Sequence, residues 1–396
     1  MDSSASGQIS KKTYSSGTVV LWSESANTLE LCERLTTSAA DGSVSLAIIW
    51  FSATRHRASD ITSLLAGMAP ELEFCGCSTS GEVTPGGMQD HGFIAILLPR
   101  RWFSAQTLFM DNVSTLGMES IAKLTSDART SFLASLEDEP DKSSLFAVNL
   151  IDGLSKSEET VTVAIDRGLD GIPLIGGSAG DDFNFQNTWQ ICNGRLSKCA
   201  SILTLFHCKL PCRVYSNNNF VPTEHKLVVT EADPDQRRVI EFNGEPAVIA
   251  YANAIGMDPE ELDAASFATY SVVVRFGGQN YCRSIQQIND DQSMTFFCAI
   301  DNGLVLTVAR SKGMIASSRQ AIEEVEANMG SIDFMFGFDC IYRKLDAQHR
   351  QSTHRIAALY QEKKFVGFNA YGEQINSIHV NQTFTGIAIG TPSHNT

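Results

Sequence analysis

The sequence is short of positive charge, of long apolar runs and of paired-cysteine motifs, and each shortage removes a class of function. Thirty Lys and Arg stand against 45 Asp and Glu, a formal charge of −15 over 396 residues. A nucleic-acid binder needs a concentrated basic footprint, and docking on anionic lipid needs basic clusters. Neither is present. No stretch approaches the roughly 18 apolar residues of a membrane span. The opening MDSSASGQISKKTYSSG lacks the apolar centre of a signal peptide. The expected protein is cytoplasmic, with no nucleic acid and no membrane insertion among its interactions. Apolar residues at 43% and charged residues at 19% are enough for a packed interior and too hydrophobic for a disordered chain.

The ten cysteines fall in the spacings Cys75-x-Cys77, Cys192-x6-Cys199 and Cys208-x3-Cys212 among others. None is the C-x2-C pair of a zinc site. His207, Cys208 and Cys212 could contribute to a metal site, but the apolar stretch LTLFHCKLPC around them favours a structural role. Cys192 and Cys199 flank an Asn193-Gly194 turn and are the better candidates for a redox pair.

Catalytic signatures are also thin. Gly176-Gly177-Ser178-Ala179-Gly180 matches G-x-S-x-G after a strand, yet a nucleophile elbow requires a helix straight after the serine. Here Asp181-Asp182-Phe183-Asn184-Phe185 follows, and two carboxylates would oppose a developing oxyanion. Gly76-Cys77-Ser78-Thr79-Ser80-Gly81-Glu82 could form a nest of backbone N–H groups, but it has neither the lysine of a P-loop nor a G-x-G-x-x-G pattern. No enzyme is expected.

What the chain does contain is mixed α/β periodicity. Residues 1–17 read as a disordered N-terminal tail. VSLAIIWFSA and LFAVNLID read as buried strands, and Thr28–Ala39 and Ser157–Leu169 as helices. HGFIAILLP and FSAQTLFM read as a strand pair around a Pro-Arg-Arg connection. Asn193-Gly194 and Asn243-Gly244 mark tight turns. Ser317 with Gln320 has capping-box spacing for a helix that ends at Gly330. Two layered α/β domains with mixed sheets are expected, at 18–210 and 211–391, and no short repeat is evident.

SIHVNQTFTGIAIG near the end reads as one strand. Its alternation places His379, Asn381, Thr383 and Thr385 on one face and Ile378, Val380 and Phe384 on the other. A buried His/Asn/Thr face must be satisfied by partners, water or a ligand. A neutral imidazole there can be a satisfied core group or a metal or haem ligand. Tyr371, just before it, can stack on a planar ligand, donate a hydrogen bond or fill core.

Four segments resemble the signatures of the FIST family: Phe74–Glu82, Ile175–Asp182, Phe242–Ala247 and Gly337–Arg343. They occur in the right order over roughly residues 18–390. The resemblance implies an N-terminal and a C-terminal FIST domain. The ending from Tyr371 to Gly386 is similar to the nitric-oxide-sensing haemoprotein branch of that family. That likeness implies haem b, with His379 as the iron ligand and Tyr371 and Asn381 as cofactor-binding neighbours. It further implies nitric oxide as the signal, a partner histidine kinase as the output with biofilm control downstream, and room for a homodimer. The alternative is a FIST sensory module for another small ligand, such as an amino acid, or one that senses redox state through cysteines.

Overall fold

The computed structural model describes residues 7–393. Its core is one architectural unit built three times in succession. Each unit has a lead strand, a helix, a central strand, a second helix, a strand parallel to the central one, a short hairpin and a return strand. In the first unit these are Val19–Ser23, Thr28–Ala39, Val44–Phe51, Ala58–Met68, Phe74–Ser78, Glu82–Gln89 and Phe93–Pro99. In the second they are Phe103–Asp111, Met118–Ser135, Leu145–Asp152, Glu158–Leu169, Leu174–Ala179, Gln190–Ser197 and Ala200–Cys208. In the third they are Cys212–Asn218, Met314–Met329, Ile332–Cys340, Thr353–Glu362, Phe365–Ala370, Glu373–Val380 and Thr383–Gly390, with an added helix at Ile341–His349.

Every unit forms the same sheet, in the order lead, return, central, parallel, and every sheet is completed by a hairpin from elsewhere. The first unit's hairpin extends the third sheet, with Glu82 opposite Phe368. The second unit's hairpin extends the first sheet, with Ile191 opposite Gly76. The third unit's hairpin extends the second sheet, with Gln374 opposite Gly176. The exchange is cyclic and leaves none of the three parallel strands with a bare edge.

The central strands read as mainly apolar runs because both their faces are buried, with Ser45, Asn149, Asp333 and Asp339 the polar residues inside them. Along Val44–Phe51 the period of two is visible in the packing. Leu46, Ile48 and Trp50 enter a core shared by all three sheets, with Phe146, Val148, Phe336 and Phe338. Ala47, Ile49 and Phe51 pack under the unit's own helices, against Leu31, Leu35 and Ile61. The helix Thr28–Ala39 starts cleanly because Asn27 and Glu30 form a reciprocal capping box.

Between the third unit's lead strand and first helix lies an inserted antiparallel sheet. Its strands run in the order Gln279–Arg283, Tyr270–Phe276, Val305–Ser311, Phe220–Asp233, Arg238–Phe242, Met294–Phe296, Ile285–Ile288. The helices Ala247–Ile255 and Ala264–Thr269 accompany it, and its own apolar cluster includes Leu227, Phe242, Tyr251 and Val272.

The architecture is mixed α/β, as expected, and several local readings change. Residues 1–6 of the expected tail lie outside the described residues, but Ser10–Thr13 is a strand paired with Val19–Ser23. The amides of Ser15 and Ser16 then donate to the Asp333 carboxylate, which ties this segment down. Phe93–Pro99 and Phe103–Asp111 belong to different sheets, so the Pro-Arg-Arg connection is a crossing between units and not a hairpin. The helix expected from Ser317 begins at Met314 after Gly313. The expected single strand at 377–390 is broken: Gln382 has φ 54°, separating Ile378–Val380 from Thr383–Gly390. The expected 210/211 division falls between the second and third units.

Candidate functional site

Each parallel strand runs into a small-residue turn, and the three turns meet. Gly180 N donates to Ser78 O at 3.1 Å, and the Ser78 hydroxyl donates to Gly180 O at 2.8 Å. Tyr371 N donates to Ser178 O at 3.2 Å, and Ser178 N to Gly372 O at 2.8 Å. Ser80 N donates to Asn369 O at 3.3 Å, and Asn369 N to Gly81 O at 2.8 Å. The result is a closed ring of hydrogen bonds linking all three units. Small residues are required here because the chains approach closely: a methyl on Gly177 would overlap the ring of Phe338.

The second turn carries a loop wound around one carboxylate. Asp181 accepts from Phe185 N at 2.9 Å, Gln186 N at 2.7 Å and Asn187 N at 2.9 Å. The Tyr371 hydroxyl donates to the same carboxylate at 2.6 Å and accepts from Phe183 N at 2.9 Å. Asp182, Phe183 and Phe185 all have positive φ, between 51° and 63°. Such backbone persists only where its surroundings over-determine it. Here the aromatic rings help: Phe185 lies 5.2 Å from Tyr371 and 5.8 Å from Phe297 of the inserted sheet. At the rim, Asp182 accepts from Ser52 at 3.0 Å and Thr54 at 3.1 Å and faces His91 at 3.3 Å.

Beside this loop, charged groups bolt the inserted sheet to the core. Arg237 donates to Glu158 at 2.7 Å and Glu159 at 2.6 Å, both at the start of the helix Glu158–Leu169, and to the Phe297 carbonyl. Ala299 N donates to Glu159 at 2.6 Å. The His379 imidazole completes the cluster, its Nδ1 3.1 Å from Glu159. Burial opposes ionisation of Glu159, but His379 and Arg237 overcome it and hold the carboxyl well below its usual range. His379 Nε2 is buried with no partner. It faces Gly372, where a methyl would overlap it, and the Asn381 amide borders the same spot.

Three further buried polar atoms on the ring and the hairpin after it have no partner: Ser178 Oγ, Asn369 Oδ1 and Gln374 Nε2. Three carboxyls nearby are pushed upward by burial: Glu373 to about 8, Glu82 to about 7 and Asp152 to about 6. Native structures leave few such groups unsatisfied, and each asks for water, an ion or a ligand.

Profiles of the FIST N domain and the FIST C domain match residues 45–245 and 247–376. The chain belongs to the FIST family. FIST domains are signal-transduction sensor modules. Their profile boundary near residue 246 lies inside the inserted segment. No curated protein matches the sequence. Among solved structures, a cyanuric acid hydrolase from A. caulinodans aligns at 9% identity and a TM-score of 0.36, over 95% of this chain and 99% of that one.

In this FIST chain His379, Tyr371 and Asn381 do come together around Gly372: Asn381 Nδ2 donates to Tyr371 O at 3.4 Å and its Oδ1 accepts from Ser284 N at 3.3 Å. A carboxylate behind Nδ1 and a bare Nε2 are the donor arrangement of an iron-ligating histidine. The room for a macrocycle is missing, because backbone of the third turn occupies the space before Nε2. In this conformation the residues do not fit haem. Among the described residues no group of three or more His, Cys, Asp or Glu could hold a metal ion, His207, Cys208 and Cys212 included. Nor do Cys192 and Cys199 face each other: Arg195 lies opposite Cys192 across the hairpin, Cys75 opposite it on the other side, and Cys199 contacts Ser114. Among the described residues no helix is long and apolar enough to cross a membrane.

The sequence reading passed over Asp181, Arg237 and the Glu158–Glu159 pair. Asp181 entered as an argument against a hydrolase and as part of the segment Ile175–Asp182, with no role of its own. Arg237 sits in the charged stretch EADPDQRR, which reads as a solvated turn, although the side chain is buried.

Proposed function

We propose that this FIST protein is a non-enzymatic sensor that takes a small polar ligand between the ring of turns and the inserted sheet. The observation that carries the reading is the set of four partnerless buried polar atoms, His379 Nε2 among them, on the segments that form the ring of turns and the hairpin after it, together with the positive-φ backbone of the loop 182–185. A ligand with both donors and acceptors, such as a free amino acid, would supply the missing partners. Entry would displace the loop 182–187, whose Phe185 ring rests on Phe297, and so alter the seat of the inserted sheet. That sheet then becomes the surface read by a partner signalling protein, in line with the histidine kinase the sequence resemblance implies.

A second reading keeps haem b and nitric oxide. It is favoured by the carboxylate-backed imidazole with a bare Nε2, and it requires the third turn to withdraw from the imidazole first. One experiment separates the two readings. The purified full chain is titrated with the common amino acids and, separately, with haem, following melting temperature and visible absorption. Under the first reading at least one amino acid raises the melting temperature, since a ligand at a hundredfold excess over Kd stabilises the native state by about 2.7 kcal/mol. That rise is lost in His379→Ala, and haem gives no saturable Soret band. Under the second, a Soret band saturates, moves on addition of nitric oxide and is lost in His379→Ala. A chain that responds to neither class of molecule overturns both.

A further inference from the structure

The connector between the second and third units holds two thiols in different environments. Cys208 ends the return strand of the second unit and is buried, whereas Cys212 opens the lead strand of the third and is partly exposed. Only Lys209, Leu210 and Pro211 separate them. Both arms of this connector are pinned by backbone hydrogen bonds, Lys209 N to Trp102 O at 2.9 Å and Gly390 N to Pro211 O at 2.7 Å. Each thiol shifts the pKa of the other, which makes the two sulfurs close neighbours, and the Cys212 thiol donates to Ser143 O at 3.4 Å. Both line a surface cavity of about 750 Å³, together with His207.

We propose that Cys208 and Cys212 are a thiol pair that a hydroperoxide converts to a disulfide. Cys212 is the attacking group because it is the thiol that solvent reaches. Its pairing with Cys208 draws its pKa down and pushes that of Cys208 up, which favours the thiolate on the exposed member. Burial and Lys209 hold the His207 imidazole below its ordinary pKa, so at neutral pH it is an uncharged proton acceptor in the same cavity.

In the first step the Cys212 thiolate attacks the outer peroxide oxygen. An S–O bond forms, the O–O bond breaks, and the departing alkoxide takes up a proton, leaving a sulfenic acid and an alcohol. In the second step the Cys208 thiol attacks the Cys212 sulfur and gives up its proton to the departing oxygen. An S–S bond forms, the S–O bond breaks, and the departing hydroxide is protonated to water. Two thiols and one hydroperoxide become one disulfide, one alcohol and one water. The other close pair, Cys75 opposite Cys192, lies inside the core with both thiols buried and driven up in pKa by that burial. The cross-link would stiffen the joint that leads into the inserted sheet. It does not depend on which ligand the ring of turns binds.

The test treats the native full chain with a small excess of hydrogen peroxide, blocks remaining thiols in denaturant and digests with trypsin. The ten free thiols should fall to eight. The peptide Leu210–Arg213 should appear joined to the peptide ending at Lys209, with fragment ions placing the bond at Cys208 and not Cys199. Cys208→Ser should accumulate a sulfenic acid at Cys212 that dimedone captures, and Cys212→Ser should keep all nine of its thiols over the same interval. Ten thiols after treatment, a bond between any other pair, or Cys212→Ser oxidising as fast as the parent would each overturn the proposal. The peptide map of the unsubstituted protein decides the matter even if a variant fails to fold.

Discussion

In the core, every sheet is finished by a hairpin from another unit. In the inserted sheet, strands pair with one another inside the segment between Phe220 and Ser311, apart from an isolated bridge between Cys282 and Asn381 of the third unit. The core thus gains its order from chain segments far apart, and its carboxyls are buried where the turns meet. The inserted sheet is a local antiparallel arrangement whose charged groups lie at its surface, apart from the Arg237 bolt. The contrast places the seam between a ring of turns and a sheet that is joined to it by the Arg237 ion pairs and by an apolar cluster of Phe297, Phe267 and Tyr251 with Tyr342 and Tyr371.

Cutting the bolt should break the contrast most strongly. Arg237→Ala leaves Glu158 buried without its cation and Glu159 with His379 alone, a loss of about 3–5 kcal/mol for a severed buried pair. Chemical unfolding followed by fluorescence should show the inserted sheet melting ahead of the core, as two transitions. A single transition shifted by less than about 1 kcal/mol would mean that Arg237 does not hold the seam.

The pH response should sharpen the comparison, because three buried carboxyls of the core and two carboxyls of the inserted segment shift in opposite directions. In the core, Glu373, Glu82 and Asp152 have folded pKa values raised by burial. The folded state therefore holds these protons more tightly than the unfolded chain. The stabilisation is complete below about pH 4 and is lost as pH rises through roughly 6 to 8, at about 1.4 kcal/mol per pH unit for each carboxyl within its window. In the inserted segment, hydrogen bonds from Ser266 and Ser293 draw Asp263 and Asp291 downward. Their contribution is present above about pH 4 and lost on acidification. Glu373→Gln should flatten the core's decline between pH 5 and 8, as measured by denaturant titration at stepped pH. An unchanged slope would show that Glu373 does not titrate there.

A smaller effect is expected at the loop that touches both regions. Tyr371→Phe removes a donor to Asp181 and the acceptor for the amides of Phe183 and Asp181. The cost should be about 1–3 kcal/mol, with faster amide exchange confined to residues 182–187. Exchange that accelerates equally throughout the second unit would assign Tyr371 a general packing role instead.

The division of the chain into strands and helices was readable where burial imposes a pattern. Val44–Phe51 and Leu145–Asp152 are buried on both faces, and only Ser45, Asn149 and the terminal Asp152 interrupt their apolar runs. The turns at Asn193-Gly194 and Asn243-Gly244 were readable because both residues adopt positive φ. Neither signal names a partner edge. A hairpin's sequence fixes where the chain reverses, whereas the sheet it joins depends on shape elsewhere, so Glu82–Gln89 gave no hint of Phe365–Ala370. The threefold order was hidden for a related reason. Gly76-x-Ser78, Gly176-x-Ser178 and Gly367-x-Asn369 do recur, but the inserted segment destroys any fixed spacing. The break at Gln382 was invisible because alternation continues in the same phase on both sides of it. His379, Tyr371 and Asn381 could be grouped from their closeness in sequence, whereas Arg237 and Glu159 reach them only through the tertiary fold.

The exchanged hairpins also bear on how the protein is made. Glu82–Gln89 emerges early in synthesis, yet its docking edge, Phe365–Ala370, is translated almost last. Until then the nascent chain carries an unpaired β-ribbon and a second sheet whose Leu174–Ala179 edge lacks its partner, each open to mispairing with other polypeptides. Truncations that end before the third unit should consequently accumulate as aggregates, and efficient production should call on holding chaperones until the final strands leave the ribosome.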